Sequence, residues 1–209
     1  MSSRVPGKRI RKSPAARRAE IVAKAAEIAL SEGLECITLR RIGEELDVRP
    51  GLVSHYFPSA EELVAEAFGT AATGELDALI PAAAPPGPAT ERLAAFLGRT
   101  SGPAWNDISR LWVNARHLRR HRPALRARLV QQETAWRARL AGLIADGVAR
   151  DEFRTQEEPS VVASQILVVL DGLGADGGAG TDELPRAVSR MAVTWAEREL
   201  GLPQGALGP

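Results

Sequence analysis

The chain has 209 residues, 44% hydrophobic and 25% charged, and a formal net charge of +1. That length supports one large or two small domains with a proper core, and the balance is that of a globular protein, not a disordered or fibrous one. A single cysteine, Cys36, excludes an intramolecular disulfide and a thiolate metal site of its own, so a reducing cytoplasm is the expected setting.

The near-zero net charge hides an asymmetry. Residues 1–58 hold 11 Lys/Arg against 7 Asp/Glu, and residues 59–209 hold 16 against 19. The first acid, Glu20, follows seven cations: Arg4, Lys8, Arg9, Arg11, Lys12, Arg17 and Arg18. A basic front on a near-neutral body points to a polyanionic partner, with a solubilising tail as the alternative. Met1 to Lys12 lacks the apolar stretch of a secretion signal, and no apolar run reaches the roughly 18 residues of a membrane span, so no membrane partner is expected.

Residues 1–14 read as a basic disordered arm. A first helix is expected over Ala15–Ser31, with Ile21, Ala25, Ile28 and Ala29 on one face and Gly33 as its stop. Thr38 caps a second helix carrying Leu39, Ile42 and Leu46. A turn at Asp47–Arg49 leads to a short helix over Pro50–Phe57, with proline at the first position, where no N–H is needed. Pro58 ends it. Ser59-Ala60-Glu61-Glu62 has the pattern of a capping box and starts a fourth helix running to about Ile80. Pro81–Pro88 is a linker. Helices are then expected over 89–101, 104–119, 123–150, 158–174 and 183–200. Gly174–Gly180 (GADGGAG) reads as a flexible break, and residues 201–209 as a frayed tail. No alternating strand pattern and no internal repeat appears.

Thr38 to Phe57, TLRRIGEELDVRPGLVSHYF, has the form of a helix-turn-helix. Leu39, Ile42, Leu46, Val48, Val53 and Phe57 can share a small core with the first helix, and Gly43 sits where two helices approach closely. The second helix must then present its front to the major groove of DNA. Its exposed positions are Arg49, Pro50, Gly51, Leu52, Ser54, His55 and Tyr56. Arg49 can pair with a phosphate or a guanine edge. Gly51 lets backbone approach backbone, and Ser54, His55 and Tyr56 can donate to phosphate oxygens. Thr38 and Arg40 add phosphate partners from the preceding helix, with Arg41 beside them. A solvated face is the alternative for the Arg40–Arg41 pair, and core packing is the alternative for Tyr56.

These residues carry a resemblance. Residues 17–65, from RRAEIVAKAAEIALSEG through TLRRIGEELDVRPGLVSHYFPSAEELV, resemble the N-terminal domain of the TetR/AcrR family of regulators. The rear resembles, more weakly, the C-terminal domain of BetI-type members, through LAAFL near 93–97, RPALRARL at 122–129, GVARDEFR at 147–154 and LDGLG at 170–174. The resemblance implies an all-α fold: a three-helix DNA-binding domain over 15–60 and a larger helical ligand-binding and dimerisation domain over 61–200. It implies a homodimer on palindromic operator DNA, most simply a repressor released by a small molecule. Two departures stand out. Arg49 occupies a place where such proteins commonly have a small polar cap, and Ala60 one where they have lysine. The lost lysine removes a phosphate contact, which the basic arm can replace by entering the minor groove.

In the rear, Trp105 and Trp112 lie two turns apart on one helical face, with Trp136 on the next long helix. They form either core or the wall of a pocket for a flat or cationic ligand. Asn114, His117, Gln165 and Asp171 are the candidate polar partners, with helix capping or a solvent-facing position as the alternative for each. Val162, Ile166 and Val169 on one helix and Leu184, Val188, Met191 and Trp195 on the next are expected at the dimer face, as a four-helix interface. An enzyme is not expected. The chain has no phosphate-binding loop and no nucleophile elbow. Its only metal-like spacing, His117 and His121, lies in an arginine-rich helix end, HLRRHR, so no metal or other cofactor is anticipated. A helical protein-interaction module is the remaining alternative.

Overall fold

A computed structural model describes residues 12–83, 86–100, 103–176 and 185–208. The arm up to residue 11, part of the linker, and Leu184 lie outside the described residues. The described residues form α-helices and one short 3-10 turn, with no strand.

The front domain follows from local signals. Helix α1 spans Pro14–Glu32, with the Ser13 hydroxyl accepting from the Ala16 N–H at 3.2 Å. Gly33 ends it at φ 107°, a conformation that favours glycine. After the 3-10 turn Leu34–Cys36, α2 covers Leu39–Glu45 and α3 covers Pro50–Tyr56. Thr38 caps α2 by accepting from the Arg41 N–H at 3.1 Å. Between α2 and α3 the chain reverses through Asp47, at φ 49°. Ile21, Ala25, Ile42, Val53 and Phe57 close the small core, and Gly43 is buried with them.

Helix α4, Ala60–Leu79, joins the two halves. Ser59 caps it through the Glu62 N–H at 3.2 Å, and it packs on α1 in front and on the long rear helix behind. The adjacent acid, Glu61, accepts from the Ala124 N–H at 2.9 Å and so caps a neighbouring helix.

The rear domain is built around α7, Pro123–Ala149, with α5 (Ala89–Arg99), α6 (Pro103–Leu118) and α8 (Pro159–Asp176) packed on it. Glu152, beyond the end of α7, accepts from the Thr90 N–H at 2.8 Å and so caps α5, which its Pro88 N-cap cannot do. The hydrogen bond from Thr90 holds the Glu152 carboxyl below its ordinary range.

Three expectations are corrected. Helix α8 does not stop at residue 174. It runs to Asp176, and Gly174 inside it allows close approach to α6, since a Cβ there would meet the Ser109 hydroxyl at 2.6 Å. The expected helix 183–200 is two helices among its described residues, α9 (Arg186–Ser189) and α10 (Met191–Glu199). Residues 201–208 do not fray. The buried Glu197 carboxylate accepts from the N–H groups of Gly205 and Leu207 at 2.9 and 3.0 Å, and Leu207 is buried. One buried acid, satisfied by two backbone donors, orders a segment with too few apolar residues to show a period.

Candidate nucleic-acid interface and rear cavity

The outer face of α2 and α3 carries the candidate DNA contacts. Arg49, Gly51, Ser54 and His55 are exposed, Leu52 and Tyr56 half-buried, and Val53 and Phe57 buried. This split follows from helical spacing, since 53 and 57 are one turn apart and point inward. Pro50 occupies the first position of α3. Tyr56 meets the His55 ring edge-on at 5.3 Å between centroids, while its body packs against the core.

Gly51 is informative because the fold does not need it. A Cβ there would meet nothing within 4 Å, and its φ is not in the left-handed region. Glycine inside a helix costs about 0.5–1 kcal/mol relative to alanine. Arg49 is the N-cap of α3, but a guanidinium has only donors and cannot accept from the helix N–H groups, so its side chain makes no capping hydrogen bond. Arg40 and Arg41 differ. Arg40 is highly exposed and pairs with Glu44 at 2.8 Å, one turn along its own helix. Arg41 reaches back to Glu32 at the end of α1 and holds that carboxyl below its usual range. Arg41 thus ties two helices together, and Arg40 keeps the freer guanidinium.

A contact the sequence did not announce supports this face from behind. The Arg18 guanidinium lies 4.8 Å from the centroid of the Phe57 ring and 3.4 Å from Glu66. Glu66 also pairs with Arg128 of α7 at 2.9 Å. Charge and ring thereby connect α1, the end of α3, α4 and α7.

The rear domain contains a cavity of about 350 Å³ between α6, α7 and α8. This is within the range of small-molecule sites, about 300–1,000 Å³. Trp105, Ser109, Trp112 and Arg116 line it from α6, at spacings that keep one helical face. Glu133 and Trp136 line it from α7, and Leu167 and Asp171 from α8. The three tryptophans and Asp171 are therefore brought together as expected. Trp112 and Trp136 are buried and meet edge-on, with centroids 6.3 Å apart. The Trp136 indole N–H is buried with no acceptor among the described residues.

Three expected ligand contacts are elsewhere. His117 and Gln165 are exposed and do not line the cavity. Asn114 faces away from it, because two residues from Trp112 is more than half a turn. Its Oδ1 accepts from the Leu34 N–H at 2.9 Å, and its Nδ2 donates to both Glu35 carboxylate oxygens at 2.8 Å. Asn114 is a bridge from α6 to the DNA-binding domain. Conversely, Arg116 and Glu133 line the cavity without belonging to the expected set. Arg116 lies one turn after Trp112, a spacing visible in the sequence, but its partners come from two other helices.

The expected dimer face also needs correction. Val162 and Ile166 are fully buried in the chain's own core, on the side of α8 that meets its own domain. The exposed side of the helix carries Val161, Gln165, Val168 and Gly172, with Val169 half-buried. Val168 is 69% exposed, far more than a valine of a finished surface needs. On the following segment Val188 and Met191 are exposed and Trp195 is half-buried.

No helix among the described residues is long and apolar enough to cross a membrane, and no group of three or more His, Cys, Asp or Glu is placed to hold a metal. Comparison with known proteins accounts for both halves of the chain. Residues 21–67 match the bacterial regulatory proteins of the tetR family, and residues 89–201 match the C-terminal domain of BetI-type transcriptional repressors. No curated protein matches the chain at the sequence level. Among solved structures, the fold is similar to a transcriptional regulator from Saccharomonospora viridis in complex with choline, with 18% identity, a TM-score of 0.70, and coverage of 89% of this chain and 98% of the other. It is also similar to a Pseudomonas aeruginosa PAO1 regulator, with 23% identity, a TM-score of 0.70 and coverage of 90% and 92%. A third similar structure is the reduced form of Escherichia coli NemR, with 16% identity, a TM-score of 0.69 and coverage of 90% and 98%. The front matches one domain of a single family and the rear its other, and the chain belongs to the tetR family as a DNA-binding transcriptional regulator with a BetI-type C-terminal domain.

Proposed function

We propose that the protein is a homodimeric repressor that holds a palindromic operator through two α3 helices and releases it when a small molecule fills the rear cavity. The observation that carries this reading is the double use of α6. One face of the helix lines the cavity through Trp105, Trp112 and Arg116. Another face grips the DNA-binding domain through Asn114, which lies between Trp112 and Arg116 in sequence. A ligand that prefers a different position of α6 therefore acts on the Leu34–Glu35 segment directly, and through it on α2. Helix α4 gives a second route, since it packs on both α1 and α7.

On the DNA side, Arg49, Gly51, Ser54 and His55 are the base- and phosphate-facing set, with Leu52, Tyr56 and Pro50 beside them and Thr38 and Arg40 on the flank. The dimer uses the exposed side of α8 and the segment from Val188 to Trp195. Each subunit then presents one α3, and two copies must stand about 34–36 Å apart to enter successive major grooves. The Saccharomonospora viridis structure of the same fold is a complex with choline, which supports reading this protein as one with a small-molecule partner.

The test is a binding isotherm on DNA from the protein's own upstream region, with footprinting, at several salt concentrations. Two protected half-sites about one helical turn apart, and affinity that falls steeply with salt, are expected. By linkage, any effector that weakens DNA binding must itself bind the operator complex more weakly by the same factor. A molecule that binds free and DNA-bound dimer equally, yet is claimed to release it, would sink the mechanism.

A further inference from the structure

We infer that the rear cavity selects an organic anion with an apolar body, because the place where it could hold a cation is already filled by Arg116. This rests on the reading of the cavity as an effector site and names the class of effector.

The wall of the cavity contains what an organic cation normally seeks: a tryptophan face with carboxylates beside it. Trp112 supplies the ring, and Glu133 and Asp171 the charges. All three are engaged by the chain itself. The Arg116 guanidinium carbon lies 5.3 Å from the Trp112 ring centroid. Its Nη2 donates to Asp171 at 2.7 Å, and its Nε donates to Glu133 at 3.4 Å. Arg116 thus serves as a tethered occupant. It is always charged, and tethering sets its local concentration far above that of a free competitor. A quaternary ammonium has no N–H with which to replace either hydrogen bond.

The remaining charges at the cavity have the other sign. Arg119, in the turn just after α6, and Arg137 of α7 also line it. Both are exposed, and neither side chain has an ion-pair partner among the described residues. With Arg116 matched by two carboxylates, the lining carries three arginines against two acids, a surplus of one positive charge. A monoanion balances it. Two guanidinium forks at the mouth match the planar, two-oxygen geometry of a carboxylate. The body of the ligand would then lie against Trp105, Trp112, Leu167 and Leu170, which are apolar and aromatic. The chemistry that fits is an aryl or bulky alkyl carboxylate.

The experiment uses the full-length protein, calorimetric titration and three probes: 2-naphthoate, its uncharged isostere 2-naphthamide, and tetramethylammonium. Wild type is expected to bind naphthoate about tenfold or more tighter than the amide, and not to bind tetramethylammonium detectably. Exposed Arg119→Gln with Arg137→Gln should erase the difference between acid and amide. Arg116→Ala, with folding checked by thermal melting, should vacate the Trp112–Glu133–Asp171 seat and create tetramethylammonium binding. Equal affinity for acid and amide in wild type, or tetramethylammonium binding more tightly than naphthoate, overturns the inference, as does failure of all three probes to bind. Operator binding, read separately, distinguishes the two claims. Release of the operator by tetramethylammonium would overturn the anion class and keep the effector cavity. Naphthoate binding with no effect on the operator would support the class and overturn the effector role.

Discussion

The front and rear domains put their chemistry on opposite sides of the same kind of helix. In the front, Val53 of α3 turns inward with Phe57 to seal a small core, and Ser54 and His55 face out. In the rear, Ser109 and Arg116 of α6 turn toward a cavity whose walls are also the domain's core, so Trp112 and Trp136 are at once packing and lining. The difference teaches where function and stability separate. An outward face can change without loss of fold, whereas a cavity wall cannot change without altering what holds the helices together.

The sharpest way to break that separation in front is to cut the core beneath the face. Phe57→Ala should cost about 3–5 kcal/mol, because a fully buried ring is removed and Arg18 loses its platform. Thermal melting should fall and operator binding should vanish together. The face itself should behave oppositely. Arg49→Ala is expected to weaken operator binding by about 1–3 kcal/mol with no change in melting temperature. If melting falls as well, Arg49 has a structural role that its lack of a capping bond does not show.

Glu75 tests the helix that joins the two regions. It lies in α4, its Oε2 is buried with no partner among the described residues, and burial pushes its carboxyl up to about 8 against a partial opposing pull from Arg99. The folded state therefore keeps a proton that the unfolded chain loses near pH 4.5. Stability from this group is complete below that pH and declines as pH rises toward about 8. Glu75→Gln should flatten that decline, gaining up to about 3 kcal/mol over wild type at alkaline pH. Denaturant melts at pH 5 and at pH 8.5 would show it, and parallel curves for the two proteins would refute it. The smallest expected effect is the most diagnostic. Gly51→Ala should raise stability by about 0.5–1 kcal/mol and still weaken DNA binding. A gain in both would mean that backbone approach at Gly51 is not needed.

How much of this was legible from the sequence divides along the same line. Thr38, Gly33, Val53 and Phe57 act through neighbours within a few residues, so spacing and capping chemistry reveal them. The Trp105–Trp112 face was visible for the same reason. The seat around Arg116 was not, because Glu133 and Asp171 reach it from two other helices. Asn114 was placed in the right region but on the wrong side of its helix. Val162 and Ile166 show the limit of hydrophobicity as a guide. Val161, Val162, Ile166, Val168 and Val169 are all apolar enough to be buried, and contact with α6, α7 and α10 decides which of them are. The last residues hid for a different reason, since Glu197 orders them through backbone donors that carry no side-chain signature.

Val168 belongs to both surfaces of α8: it is exposed on the outer face and it also lines the cavity. The helix is one layer thick there. If two copies meet on that face, the occupancy of one cavity is communicated to the other across a single side chain. An effector titration of such a dimer would then depart from a simple hyperbola, with a Hill coefficient other than one, and one saturated subunit would set the sensitivity of its neighbour.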